Sequence, residues 1–434
     1  MTPGEAAAEA PLQRQERLRR WTKILSAYFS TQTLVQLLGI ASGLLFVNFM
    51  PVREFALYTL AFSVITFFTF VSDLGSTTSL VYFFRQAKGE REEVGRYVAA
   101  VLSLRRLAFL LGAVAVLLAF PRIAVAKGFA LRESLLSGVG ILLCVWFQMS
   151  ASVRVLALRL ADRYGLSYRA EMTGGGVRLA LALLMMATGL LWAWLGVLVS
   201  SFASAATSLV AGTEPPPREQ AAVLRPYRAR VLRYLLPSLP SALYFSLQAP
   251  LTVWLAATFG STRNIAEVGA LGRLGLVVGI FSSLTGIVFL PRLAQIHDER
   301  TYRTRYLQFG AALLAVTATL VLASTVAPEL LLMLIGKRYA SLRHELVLVV
   351  GGAGLSLLGG YAVSVNLARS WNRWEGLAVV VLIAVQAILV TRLPLSTTSG
   401  VLTFNVLSAT TGLLLQLVIT FGGFTRPGWV RWMT

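Results

Sequence analysis

The chain has 434 residues, of which 56% are hydrophobic and only 13% are charged, and its mean hydropathy is +0.71. This balance excludes a water-soluble single domain and predicts a polytopic membrane protein. The net charge of +20 does not indicate nucleic-acid binding here, because most basic residues lie in short loops between apolar spans. The single cysteine, Cys144, excludes a disulfide framework and a thiol metal cluster. We expect no removable signal peptide, since the first 20 residues lack an uninterrupted apolar core.

The predicted fold is an all-α bundle of about twelve transmembrane helices in two six-helix lobes. In the first lobe, residues 24–211, the helices are Ile24–Val47, Phe55–Phe84, Val98–Phe120, Ser134–Ala157, Glu171–Leu190 and Trp192–Ala211. A polar connector, residues 212–230, leads to the second lobe, residues 231–421. The helices there are Val231–Phe259, Ile265–Leu290, Tyr306–Val326, Leu346–Ala368, Glu375–Leu393 and Ser399–Phe421.

The distribution of basic residues predicts the orientation of the bundle. Segments predicted to face the cytoplasm hold roughly three times as many Lys and Arg residues as the segments predicted to face outward. Both termini, residues 1–23 and 422–434, and the connector are therefore expected in the cytoplasm.

The two halves also resemble each other in sequence. The outer loop after the third span reads FPRIAVAKGFALRE, and the one after the ninth reads APELLLMLIGKRYASLRHE, with the order Pro, Gly, Leu-Arg, Glu in both. Because each half has an even number of spans, we expect the lobes to be related by a pseudo-two-fold axis along the membrane normal. The substrate cavity is expected between them.

The span pattern, the SDLG of Ser72–Gly75 and the stretch LLMLIGKRYASLRHELVLV resemble the polysaccharide biosynthesis family of Wzx-type lipid-linked oligosaccharide flippases. This family belongs to the multidrug, oligosaccharidyl-lipid and polysaccharide exporter superfamily. The resemblance implies alternating access, a cavity lined by spans one, two, seven and eight, and a basic interior that matches a pyrophosphate. It also implies a bacterial inner-membrane location, O-antigen-type cell-surface polysaccharide synthesis, and work alongside a polysaccharide polymerase and glycosyltransferases. No cofactor is expected, although coupling to H⁺ or Na⁺ stays open.

Four arginines fall inside the predicted spans: Arg105, Arg106, Arg178 and Arg273. Arginine keeps its charge at depth, and its planar fork binds phosphate oxygens in pairs, so we predict that these residues bind the pyrophosphate. Arg273 is the strongest candidate because it has no evident acid partner inside its own lobe. Arg105 and Arg106 point about 100° apart, so one of them should reach toward the inner surface. Arg178 could instead pair with Asp73 or Glu171. The helix positions predict Arg178 at the depth of Asp73, with Arg273 nearer the outside.

Asp73 is a carboxylate inside the second predicted span. It is expected to act as a salt-bridge partner, as a coupling-ion or proton site, or as a polar packing residue, in that order. Gln32, Gln36 and Gln248 lie on predicted lining helices and could bond sugar hydroxyls, or simply join helices.

We therefore predict a transporter that flips a polyprenyl-pyrophosphate-linked oligosaccharide. The alternatives are a cation-coupled multidrug antiporter, which an interior with mainly Asp73 against four arginines disfavours, a lipid II-type flippase, and a non-transporting subunit of a synthesis complex. An enzyme is not expected, because both histidines fall in predicted loops and no nucleophile has a base at suitable spacing.

Overall fold

The computed structural model describes residues 33–425 apart from 74, 87–89, 162, 213–220, 237–238, 286–292, 294–295, 297, 370 and 372. Within these residues the chain forms fifteen α-helices and no strand. The first lobe contains α1 (Thr33–Phe49), α2 (Val52–Asp73), α3 (Ser76–Gln86), α4 (Arg91–Ala126), α5 (Leu131–Leu160), α6 (Tyr164–Ala187) and α7 (Ala193–Ala211). The connecting helix is α8 (Ala221–Leu235). The second lobe contains α9 (Leu239–Phe259), α10 (Thr262–Leu284), α11 (Glu299–Val326), α12 (Pro328–Ile335), α13 (Arg343–Ala368), α14 (Glu375–Arg392) and α15 (Thr398–Thr425).

Ten of these helices are long and apolar enough to cross a membrane. Each of the twelve predicted spans contains a helix, and the two that fall outside the ten are α1 and α10. α1 is a shorter apolar helix over its described residues, and α10 carries the charges of Arg263, Glu267 and Arg273. The predicted fold class, an all-α bundle of two lobes, is confirmed.

Two predicted spans are each divided into two helices. The second span breaks between α2 and α3, where the backbone turns at Gly75 with φ +80°. In the seventh, α8 ends at Leu235 and α9 begins at Leu239. Helix α8 also includes part of the segment that was predicted as a polar connector, residues 212–230. It packs on α3 and α4 through the apolar side chains of Val231 and Leu235.

The largest hydrophobic cluster runs across both lobes. Phe46, Phe55 and Tyr58 of the first lobe are fully buried together with Ile265 and Leu271 of α10. α2 packs against α9 and α10, so this helix supplies much of the contact between the lobes. Since the cluster includes the end of α1 and the start of α2, it lies toward the end of the bundle that the charge distribution predicts to face outward, here called the outer end.

Candidate functional site

Two arginines from opposite lobes converge on one face of α2. The Arg273 Cζ atom, from α10, lies 4.8 Å from the centroid of the Phe62 ring and 5.7 Å from that of Tyr58. The Arg178 Cζ atom, from α6, lies 5.8 Å from the Phe62 centroid, and its Nη2 donates a hydrogen bond of 3.3 Å to the Tyr58 hydroxyl. Tyr58 and Phe62 are four residues apart and so lie on the same side of the helix. We call these four residues the arginine pair site.

Neither arginine has a carboxylate partner among the described residues. No salt bridge joins Arg178 or Arg273 to an Asp or Glu in that part of the chain, and the Nε atoms of both are buried without a hydrogen-bond partner there. The Arg273 side chain is only 6% exposed. Removing a cation from water costs several kcal/mol, whereas a cation–π contact returns about 0.5–2 kcal/mol. The site therefore carries uncompensated positive charge that an anion would stabilise.

The structure places Arg178 closer to Arg273 than the sequence predicts. The predicted span began at Glu171, but α6 begins at Tyr164, seven residues earlier, so Arg178 lies deeper from the inner end. Both arginines meet the same Phe62 ring instead of occupying two successive levels. The aromatic residues were not singled out from the sequence. The sequence feature that could have indicated them is the four-residue spacing of Tyr58 and Phe62, which places both on one side of a predicted span that also carries an acid.

A cavity of about 540 Å³ opens beside Arg178 within the first lobe. Helices α1, α2, α5, α6 and α7 surround it, and its lining includes Phe62, Thr66, Gln148 and Glu171. Arg178 lines this cavity, whereas Arg273 is covered by Tyr58, Phe62 and the backbone of α1, where a Cβ on Gly43 would lie 3.1 Å from the Arg273 Cδ atom. In this conformation an anion in the cavity could reach Arg178 first.

Arg105 belongs to a separate cluster at the break between α2 and α3. Its three nitrogens all donate to protein oxygens: Nε to Ser76 Oγ at 2.7 Å, Nη1 to Ser152 Oγ at 2.8 Å, and Nη2 to Asp73 Oδ1. The Arg105 side chain is 3% exposed and that of Asp73 is 29% exposed. Asp73 also accepts from the Gly75 N–H at 3.3 Å and the Ser76 hydroxyl at 3.2 Å, so it holds the start of α3. The salt-bridge role is observed, and a coupling role for Asp73 stays a prediction.

The other predicted site residues lie apart from the arginine pair. Arg106 is exposed on α4, a position that does not favour the predicted contact with the pyrophosphate. Glu171 pairs with Arg159 at 2.7 Å and not with Arg178. Gln36 lies in α1, while Gln32 falls outside the described residues. Gln248 exchanges amide hydrogen bonds with Gln386 of α14, so it joins two helices of the second lobe. The roles of the three glutamines in sugar binding stay predictions.

Basic side chains join the two lobes at the outer end. Lys127, after α4, donates to the carbonyls of Gly260 at 2.9 Å and Thr258 at 3.5 Å, at the end of α9. Arg338, after α12, donates to the carbonyls of Met50 and Asn48, both at 2.6 Å, at the end of α1. In each case a cation meets the carbonyl end of the other lobe's first helix, where the helix dipole favours positive charge. We call these contacts the outer latch.

The outer latch follows the internal repeat. Gly128 comes directly after Lys127 and has φ +84°, and Gly336 precedes Arg338 by two residues and has φ +98°. Only glycine adopts such backbone angles without strain. A Cβ on Gly336 would also lie 2.7 Å from the Asn48 Oδ1 atom, so this loop can approach α1 closely only because glycine has no side chain. The two glycines thus form turns beside the basic residues that make the reciprocal contacts, whereas the repeated prolines differ, because Pro121 lies inside α4 and Pro328 begins α12.

No family model matches the chain, and no curated protein matches it. Among solved structures, it is similar to "Lipid II flippase MurJ, inward closed conformation", with a TM-score of 0.70 and 12% identity over 91% of this chain and 87% of that one. The chain has the fold of a MOP-superfamily transporter. A second similar structure is the inward-facing conformation of a multidrug resistance MATE family transporter of that superfamily, with a TM-score of 0.57 and 18% identity over 90% of this chain and 96% of that one.

A third similar structure is a MOP superfamily transporter from Pyrococcus furiosus that is described as having a binding pocket of reverse polarity. Its TM-score is 0.52, with 16% identity over 93% of this chain and 96% of that one. At these identities the likeness establishes the fold, and the ten apolar helices establish a multi-pass membrane protein.

Proposed function

We propose that the protein is a flippase that moves a polyprenyl-pyrophosphate-linked oligosaccharide across the bacterial inner membrane by alternating access. The arginine pair site would hold the pyrophosphate, while the lipid tail stays in the bilayer. The proposal includes cytoplasmic termini, cell-surface polysaccharide synthesis, and cooperation with a polymerase and glycosyltransferases.

The observation that carries the proposal is the meeting of Arg178 and Arg273 without a carboxylate between them. A transporter of cationic drugs would need negative charge at that place, and the described interior offers two guanidinium groups on aromatic rings instead. A pyrophosphate has enough acceptor oxygens to bind both guanidinium forks. Because one arginine belongs to each lobe, the ligand would bridge the two bodies that alternating access moves.

The closed outer end supports a specific order of events. Arg178 lines the first-lobe cavity, so the pyrophosphate would reach it while the outer latch is closed. Arg273 is covered by Tyr58 and Phe62, and separation of α10 from α2 would expose it. The bound anion would then pass to the outer side as the latch opens. This order assigns the latch the role of the outward gate.

A lipid II-type flippase is the second candidate. The similar MurJ structure is named as a lipid II flippase, and a pyrophosphate-linked lipid would suit the arginine pair equally well. The two candidates differ in the sugar and share the anion site. The multidrug antiporter is the competing class of transporter. Coupling of transport to H⁺ or Na⁺ stays a prediction for all of these candidates.

The anion site can be tested by binding a short polyprenyl pyrophosphate to purified protein in detergent, with the matching polyprenyl alcohol as the neutral probe. We expect Arg178→Gln and Arg273→Gln each to weaken pyrophosphate binding about 10-fold to 100-fold, because a hydrogen bond to a charged group contributes about 1.5–3 kcal/mol. Arg106→Gln removes the same charge from an exposed position and should leave binding unchanged.

Equal binding of the alcohol and the pyrophosphate would overturn the proposal. An equal loss of pyrophosphate affinity in Arg106→Gln would also overturn it, because the removal of any positive charge from the protein would then explain the weaker binding. Tight binding of a lipophilic cation that survives in both site variants would favour the antiporter.

A further inference from the structure

The second lobe contains a cavity of about 750 Å³ that the arginine pair does not touch. Helices α9, α13, α14 and α15 enclose it, and its polar lining consists mainly of neutral groups: Tyr244, Gln248, Ser356, Ser364, Asn405, Ser408 and Gln416. The remaining wall is largely apolar, including Phe245 and Leu382. The volume lies within the roughly 300–1,000 Å³ typical of sites for small molecules, which combine apolar walls with a few placed polar groups.

Some of these polar groups have no protein partner. The Ser408 side chain is only 7% exposed, yet its hydroxyl makes no hydrogen bond with the described residues. By contrast, Ser356 and Ser364 in the same cavity donate to backbone carbonyls four residues back, as serine in a helix usually can. The Asn405 amide also forms no side-chain hydrogen bond within the described part of the chain. Asn405 is half-buried, whereas the Ser408 hydroxyl is buried without a partner, which is costly and points to a ligand that supplies one.

We propose that this cavity binds the glycan of the lipid-linked substrate through Ser408, Asn405 and the Gln248–Gln386 amide pair. A sugar ring presents hydroxyl groups around its edge and apolar C–H groups on its faces, so it matches amides and hydroxyls set in an apolar wall. The inference rests on the proposed function, because it assigns the sugar to one lobe and the pyrophosphate to the arginine pair site.

The single acidic residue of the cavity has a protein partner. Glu375 is the one charged residue among its described lining residues. The Gln416 Nε2 atom donates to this carboxylate at 3.0 Å, and Glu375 stands in the first turn of α14, where the helix dipole stabilises a negative charge. Glu375 therefore has a structural explanation that requires no cation.

The test compares a short polyprenyl pyrophosphate with the same lipid carrying glucose, galactose, N-acetylglucosamine or an oligomer of these sugars. Wild type should bind at least one sugar-bearing lipid about tenfold more tightly than the bare lipid, as one or two net hydrogen bonds would give. Ser408→Ala removes a hydroxyl that has no hydrogen-bond partner among the described residues. It should therefore reduce the higher affinity for the sugar-bearing lipid without lowering thermal stability. Ala409→Phe, which fills the cavity, should remove it entirely, while Leu414→Phe on the exposed side of α15 should not.

The outcomes separate this inference from the proposed function. The proposal that this cavity binds the glycan is wrong if no sugar-bearing lipid binds more tightly than the bare lipid, or if Ser408→Ala keeps the full difference in affinity between them. Neither result would affect the proposal for the arginine pair site. If Arg178→Gln and Arg273→Gln fail to weaken the bare lipid, the proposed function is wrong whatever the sugar does. Binding of tetraphenylphosphonium that is lost in Glu375→Gln would assign the cavity to cations and overturn the inference.

Discussion

Buried arginines in this protein differ in what surrounds them. Arg105 donates from every nitrogen to protein oxygens, including those of Asp73, so it behaves as a structural cation. Arg178 and Arg273 rest on aromatic rings and have no acid partner among the described residues. The residue type is the same in all three, and the neighbours determine which of them can bind a ligand.

At this scale we predict that Asp73→Asn destabilises the protein by about 3 kcal/mol, because it leaves the Arg105 charge buried and unpaired. Arg105→Gln should cost a similar amount, and the double variant should cost less than the sum of the two. Thermal unfolding in detergent, arranged as a double-mutant cycle, measures this coupling. Glu92→Gln breaks an exposed ion pair with Arg96 and should change stability by less than about 1 kcal/mol.

The same variants address the predicted substrate role of Arg105. If the cluster is structural, folded Arg105→Gln protein should bind polyprenyl pyrophosphate with wild-type affinity. A loss of binding comparable to that of Arg273→Gln would instead make Arg105 a substrate ligand. Dependence of transport on Asp73 together with a Na⁺ or pH gradient would support the coupling role.

Among the elements, the outer ends of α1, α4, α9 and α12 form polar contacts between the lobes. Each side of the outer latch places one basic side chain on the carbonyl end of a helix from the other lobe. The two basic side chains share no hydrogen-bond acceptor among the described residues, so we expect their contributions to be nearly additive.

We predict that Lys127→Ala with Arg338→Ala opens the outer end. At about 1 kcal/mol for each side of the latch, losing both should shift the closed-to-open ratio by roughly tenfold or more. The measurement is the distance distribution between spin labels at Leu131 and Leu330, two exposed outer positions in different lobes, with Cys144 replaced by Ser. Each single variant should give about half of the shift in free energy.

Lys337→Ala provides a matched control, since Lys337 is an exposed neighbour of Arg338 in the same turn. It should leave the distance distribution unchanged. If the double variant keeps the wild-type distribution, the contacts are incidental and the outward gate lies elsewhere.

For the whole molecule, hydropathy was sufficient to predict the fold class. Twelve apolar stretches became helices, because a backbone in lipid must satisfy its hydrogen bonds internally. The helix break at Gly75 carried a local signal, because glycine is favoured in a left-handed turn. The repeat of Pro and Gly was readable, but the reciprocal contacts of Lys127 and Arg338 depend on tertiary packing.

The candidate site was predictable only in part. Residue chemistry singled out four arginines, Arg105, Arg106, Arg178 and Arg273, and the lack of an evident acid partner for Arg273 was the reason to favour it. Their meeting on Phe62 could not be predicted, because it depends on the true start of α6 and on how α2 packs between the lobes. An error of seven residues in a helix start moves a side chain by roughly 10 Å along the axis.

The central claim is that an anion bridges the two lobes at the arginine pair site during transport. The direct measurement is translocation of a labelled polyprenyl-pyrophosphate glycan across proteoliposome membranes by wild type, Arg178→Gln, Arg273→Gln and the control Arg106→Gln. We predict transport by wild type and the control, and at least about a tenfold loss in each site variant. Undiminished transport in both site variants, or transport of cationic dyes in place of the glycan, would contradict the account.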